Sequence, residues 1–181
     1  MQEPEPATIR SAAAGDLEAF TSLVRATQAH VWRFIRHLVG DDDTAADLTQ
    51  ETFVRVHRSL HTFRHDAAFA TWLLRIARNL VVDEQRRELR RPPTRPADDA
   101  LMLADPSPGP GLHSELRAAL AALPDHQREA LLLVEIAGLR YREAAEVLAV
   151  AEGTVKSRVF HARAAMVRWM ESDQIREPHH G

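Results

Sequence analysis

Tyr141-Arg142-Glu143-Ala144-Ala145-Glu146-Val147-Leu148-Ala149-Val150-Ala151-Glu152-Gly153-Thr154-Val155-Lys156-Ser157-Arg158 is the stretch that decides the fold. It predicts one helix over roughly Tyr141 to Leu148 and a second from Glu152 to Met170, with only a few residues between them. Two helices joined by so tight a turn outline a helix-turn-helix. In the second helix Val155, Val159, Ala162 and Met166 are spaced four, three and four apart, so they face a core. The opposite face carries Gly153, Ser157, Phe160, His161 and Ala164, with Lys156, Arg158 and Arg163 on the flanks. Polar and aromatic side chains facing outward suit base edges in a major groove, and cations at the sides suit the phosphates. A plain surface helix also has charged flanks. An outward phenylalanine at Phe160, the Ala144-Ala145 pair and the short turn favour the DNA reader. Ala149 stands where such turns often have glycine, and Ala151 replaces the usual polar cap. The turn is therefore either slightly strained or of another type.

Upstream of this motif the helical period continues. Leu116, Leu120 and Leu123 mark a short helix that Pro124 stops, and Asp125 can cap another from Gln127 to Ala137, ended by Gly138. Before them, Pro92, Pro93, Pro96, Pro106, Pro108 and Pro110 interrupt the chain, six of its ten prolines. No helix or central strand survives such a density of prolines. The segment reads as an extended linker over 92–112 between halves at 8–91 and 113–171.

The N-terminal half is helical too. Leu17, Phe20, Val24, Val31, Ile35 and Leu38 form one stripe, with Asp16 placed to cap its start and Gly40 its end. Asp42, Asp43 or Thr44 can cap a second helix with Leu48, Thr52 and Val56 inward. Phe63 to Asp66 reads as a loop, and a third helix carries Phe69, Trp72, Leu73, Ile76, Ala77 and Leu80 on one side. With no alternating pattern of useful length, the fold class is all-α: two small helical domains on either side of a Pro-rich linker.

The third helix also carries a basic ridge, Arg75, Arg78, Arg86, Arg87, Arg90, Arg91 and Arg95, near Trp72 and Phe63. Arginines interleaved with aromatics suit unpaired or distorted nucleic acid, whose bases stack and whose phosphates need cations. Trp72 itself lies on the apolar stripe and reads as core. Against this basic surface, the second helix puts Asp47, Gln50 and Glu51 together at i, i+3 and i+4. Taken alone, acids near a helix start are favoured by the helix dipole. On this helix alone that reading is the stronger one, and a docking face for a basic partner is the alternative.

Composition sets limits. The formal net charge of −3 gives no global basic signature, so any nucleic-acid surface is local. Cysteine is absent, which removes disulfides, thiolate metal sites and thiol switches. The polar start, Met1 to Arg10, has no apolar secretory core, and no apolar run reaches the roughly 18 residues of a membrane span. The chain reads as soluble and cytoplasmic. His57, His61 and His65 are four apart, but the helix is expected to end near Leu60 and no fourth ligand is in view, so no metal is assigned. No phosphate loop, catalytic triad order or activated nucleophile is visible. The expectation is a protein that is not an enzyme and needs no cofactor.

Asp47-Leu48-Thr49-Gln50-Glu51-Thr52-Phe53, Phe69-Ala70-Thr71-Trp72-Leu73-Leu74-Arg75-Ile76-Ala77-Arg78-Asn79 and Gly153-Thr154-Val155-Lys156-Ser157-Arg158 together resemble the extracytoplasmic-function sigma factors of bacterial RNA polymerase. The resemblance runs over about 8–171 and rests on three motifs in the right order. It implies that region 2 (8–91) binds core polymerase, recognises the −10 element and melts DNA, and that region 4 (113–171) reads the −35 element. Asp47, Gln50 and Glu51 would meet the β′ clamp. Phe63 and Asn79 would line a pocket for a flipped base, and Arg75 and Arg78 would hold strand phosphates; for Asn79 an ordinary surface position is an equal alternative. Ser157, Phe160 and His161 would face −35 bases, with Lys156, Arg158 and Arg163 on phosphates or flanking bases. Leu131, Leu132 and Ile136 serve as core, and in the family this helix also helps hold the β flap. Asp98, Asp99 and Asp105 of the linker either mimic RNA charge in the polymerase cleft or are simply solvated. An anti-sigma factor is a further implied partner. A free-standing helix-turn-helix repressor would need a dimerisation element, which is not in view, and would leave the acidic helix without a role.

Overall fold

The computed structural model describes residues 1, 3–64, 66–90 and 112–174, and among these the regular structure is helical. Its helices are α1 (Pro6–Ala13), α2 (Leu17–Val39), α3 (Asp42–Ser59), α4 (Phe69–Arg90), α5 (Leu112–Ala121), α6 (Asp125–Leu131), α7 (Tyr141–Leu148) and α8 (Glu152–Gln174). The linker carboxylates Asp98, Asp99 and Asp105, with Arg91, Arg95 and His65, lie outside the described residues.

The first half is built by α2, α3 and α4, with α1 against α2. Asp16 starts α2 as expected: Oδ1 accepts the N–H of Glu18 at 2.9 Å and of Ala19 at 3.1 Å, and the Ser11 hydroxyl donates to Oδ2 at 2.8 Å. Those bonds to the charged form hold the Asp16 carboxyl below its usual range. Gly40 ends α2 in the left-handed conformation at φ +81°, which a side chain would resist. Asp41, rather than Asp42, Asp43 or Thr44, caps α3, accepting the Thr44 N–H at 2.7 Å. Asp42 instead pairs with the buried Arg36 and so ties the end of α2 to the start of α3. Val31, Phe34, Ile35, Val56, Leu73, Leu74 and Ala77 are nearly or wholly removed from water between the three helices. Thr52, inside the acidic motif, is also fully buried and satisfies its hydroxyl on the Leu48 carbonyl at 2.7 Å.

In the second half α6 runs into a five-residue π turn, Leu132–Ile136, where Ala137 N–H reaches back to Leu132 C=O at 2.9 Å. Pro124 occupies the cap position of α6. Asp125 sits in the first turn and pairs with Arg128 instead of capping. Val155, Val159 and Ala162 of α8 are buried, as their spacing requires. Ala149 adopts φ +54°, ψ +45° at the end of α7, so the helix-turn-helix turn is left-handed although its residue is not glycine. The two halves touch: α4 packs against α7, and α2 against the π turn.

Candidate functional site

The outer face of α8 is arranged as its sequence predicts. Ser157, Phe160 and His161 are exposed, Phe160 to 69%, while the residues behind them are core. The Phe160 and His161 rings stand edge to face, 5.5 Å apart. A groove of about 480 Å³ opens beside them, lined by Gly153, Ser157, Arg158 and His161 of α8 and by His126 and Gln127 from the start of α6. His126 and Gln127 were not legible as part of this site; only the packing of α6 across α8 brings them there.

The flanking cations are engaged. Lys156 Nζ lies 2.7 Å from Glu152 one turn earlier and 5.9 Å from the centre of the Tyr141 ring. Arg163 pairs with Glu135 of the π turn, its Nε donating at 3.1 Å. The Glu152 carboxylate holds Lys156 above the ordinary lysine value, and Glu135 does the same for Arg163. All of these pairs are largely in water, where such contacts are weak and exchangeable.

Ahead of α4, Phe63 packs edge to face on Phe69 (5.8 Å between centroids) and tilted on Trp72 (5.3 Å). Trp72 is half-buried, less enclosed than its stripe position suggests. Trp72, Arg75 and Asn79 follow one another at i, i+3 and i+7 along one face, Arg75 and Asn79 exposed. Trp72, which Phe63 touches, and Asn79 are two helical turns apart, about 10 Å along the axis. Arg78 is turned aside from that stripe and held by Glu129 of α6.

The acidic patch lies on the outward ridge of α3, but its members look into different concavities. Asp47 and Glu51 line a cleft of about 550 Å³ against α4, together with Asp83, Glu84, Arg55 and Arg87. Gln50 lines a larger apolar groove of about 950 Å³ between α2 and α3, whose walls include Leu17, Phe20, Trp32 and Phe53. Glu51 also accepts from Arg55 Nε at 3.0 Å. Asp83 and Glu84 thus add two carboxylates to this cleft, where Arg87 pairs with Glu84 as Arg55 does with Glu51. They were missed because they lie in a different helix, inside an arginine-rich run.

Leu131 and Leu132 are buried, whereas Ile136, the last residue of the π turn, is 37% exposed. Among the described residues no group of three or more His, Asp or Glu stands where a metal could be held. Likewise, no described helix is long and apolar enough to cross a membrane.

An all-helical chain with a helix-turn-helix in one half and an acidic ridge beside a basic helix in the other is the architecture of a two-region transcription factor. Comparison with known proteins gives it a family. Residues 23–91 match Sigma-70 region 2 and residues 113–166 match Sigma-70, region 4. The ECF RNA polymerase sigma factor SigC of Mycobacterium tuberculosis is 39% identical over 168 residues, covering 91% of this chain and 90% of the relative. The RNA polymerase sigma-H factor of Pseudomonas aeruginosa is 35% identical over 179 residues, covering 91% and 93%. Among solved structures, CnrH in complex with the cytosolic domain of CnrY superposes with a TM-score of 0.73 at 26% identity, covering 92% of this chain and 97% of that one. The sigma factor RpoE of Bartonella quintana, in complex with the anti-sigma factor NepR, gives 0.72 at 26% identity over 87% and 99%. The chain belongs to the extracytoplasmic-function sigma factors, the subunits that direct bacterial RNA polymerase to promoters.

Proposed function

We propose that the two halves divide the promoter between them. Region 4 (113–171) lays α8 in the major groove of the −35 element, with Ser157, Phe160 and His161 against base edges. Arg158, and Lys156 and Arg163 once released by their carboxylates, take the flanking phosphates. Region 2 (8–91) meets the −10 element through α4. Arg75 and Arg78 hold the strand, and the Phe63 aromatic cluster and Asn79 receive an unstacked base. Asp47, Gln50 and Glu51 face the β′ clamp of core polymerase, and the α6–π segment meets the β flap.

The observation that carries this reading is the sorting of α8. Its three expected base-facing residues are exposed on one side, and Val155, Val159 and Ala162 are sealed into the core on the other. The protein is a binding subunit, not an enzyme; the chemistry is the polymerase's, and the place of work is the cytoplasm. RpoE, solved in complex with the anti-sigma factor NepR, and CnrH, solved with the cytosolic domain of CnrY, support an anti-sigma factor as a further partner here. The experiment is reconstitution with core polymerase and genomic DNA, followed by mapping of transcript starts. Specific starts are expected, and they should disappear with Asp47→Lys/Glu51→Lys while helix content stays unchanged. Undiminished polymerase binding by that double variant would refute the role given to the acidic ridge.

A further inference from the structure

The two long edges of α8 are not alike. Lys156 and Arg163 lie two helical turns apart on one edge, and each is already paired with a carboxylate. Thr154 and Arg158 lie one turn apart on the other edge. Arg158 is half-buried and makes no ion pair among the described residues.

This second edge faces α6. His126 is exposed and Gln127 half-buried, and both line the groove shared with Thr154, Ser157, Arg158 and His161. The six side chains offer a guanidinium, two imidazoles, an amide and two hydroxyls, each able to donate a hydrogen bond. Among the described residues no carboxylate lines the groove: Asp125 pairs with Arg128, and Glu152 with Lys156. Such a concavity complements a group that only accepts. In DNA that group is the backbone phosphodiester, because base edges mix donors with acceptors. The groove runs beside the first turns of α8, the part of a recognition helix that meets base edges, so one strand bounding the major groove passes there. A phosphate reaching Lys156 or Arg163 must displace a carboxylate, whereas one reaching Arg158 displaces only water.

We infer that the −35 reader has two parts. His126 and Gln127 of α6 seat a phosphodiester of one DNA strand together with Arg158, which fixes the register of α8, and the strand at the Lys156–Arg163 edge is held less firmly. The inference rests on α8 lying in the −35 major groove.

The test uses polymerase reconstituted with the full chain and labelled promoter fragments. Single phosphates flanking the −35 element are replaced, one at a time on each strand, by neutral methylphosphonates. With the parent protein the largest penalty should fall at one phosphate of one strand. His126→Ala/Gln127→Ala should weaken binding about tenfold, the lower end for hydrogen bonds to a charged group. The loss should be the same on every −35 sequence, and the penalty at that phosphate should vanish while the others persist. His126→Glu should weaken binding more than His126→Ala. An acid in the first turn of a helix favours folding, so that loss would not come from a broken α6. Parent-like binding by the double variant overturns the inference, as does a loss that leaves every methylphosphonate penalty unchanged. A loss that differs among −35 sequences replaces phosphate seating with base contact and overturns it too. In each of these cases the promoter reading stands if His161→Ala still shifts −35 preference. If His161→Ala shifts nothing, the −35 assignment of α8 fails and the inference with it.

Discussion

Replacing Ala149 by glycine should stabilise this protein, although glycine loses more backbone entropy on folding than alanine. Ala149 closes α7 at φ +54°, ψ +45°, and its methyl group points to solvent. An L-residue in the left-handed region pays about 1–2 kcal/mol because Cβ crowds the following carbonyl. Glycine avoids that cost but loses about 0.4–1 kcal/mol more backbone entropy on folding. No packing is lost with an exposed methyl, so the balance favours glycine by about 0.5–1 kcal/mol. For a chain of this length that corresponds to roughly 1–4 °C in melting temperature. Ala149→Val reverses the sign, because a β-branched side chain tolerates positive φ least. Thermal melts followed by far-UV circular dichroism should rank Gly above Ala above Val. A glycine variant less stable than the parent would refute the left-handed turn, and with it the α7–α8 angle on which the DNA-reading face depends.

Three other outcomes follow from named contacts. His161→Ala should change preference among −35 sequences by ~1–3 kcal/mol per affected base pair, whereas Arg158→Ala should weaken binding across all sequences; promoter-panel binding assays with the reconstituted polymerase separate the two. Burial, then the charges of Arg36, Arg117 and Arg33, pushes the His37 imidazole below its ordinary value. The unfolded chain then binds more protons than the folded one between that lowered value and about 6.5. The contribution of His37 is fully present above that window and is lost as pH falls through it, so urea midpoints at mildly acidic pH should drop less in His37→Gln than in the parent. Phe34, wholly buried between the helices of region 2, should cost about 3–5 kcal/mol on truncation to alanine, read from urea denaturation.

Much of this architecture is written in residue spacing. The α8 stripe and the Asp16 and Gly40 termini each rest on contacts within a few residues, where periodicity and capping chemistry operate. The start of α3 was placed late because Asp41, Asp42 and Asp43 offer the same side chain three times over, and only geometry selects the first. Helix α1 escaped notice because it is short and alanine-rich, with Ile9 and Ala12 as its only buried residues. The π turn leaves no periodic mark at all, since it inserts one residue into an otherwise apolar run. The least legible features are those joining distant segments: Arg78 with Glu129, Glu3 with the first turn of α4, and His126 beside His161. Nothing local distinguishes these residues from ordinary surface charges. The chemical types in the site were readable, but whether each cation was already occupied was not.

The pairing of Lys156 with Glu152 and of Arg163 with Glu135 bears on how salt should govern promoter binding. A protein cation that neutralises a DNA phosphate ordinarily releases the counterions condensed on the duplex into bulk solvent, and dilution of the buffer rewards that release, steepening affinity by ~0.9 log unit per log unit of salt for each phosphate neutralised. Here each phosphate must also displace a carboxylate fastened to the same chain. Its local concentration is set by the helix and does not fall when the buffer is diluted. Lys156 and Arg163 therefore contribute less to the salt slope than their number suggests, and promoter affinity should level off at low ionic strength sooner than for a reader whose cations are bare.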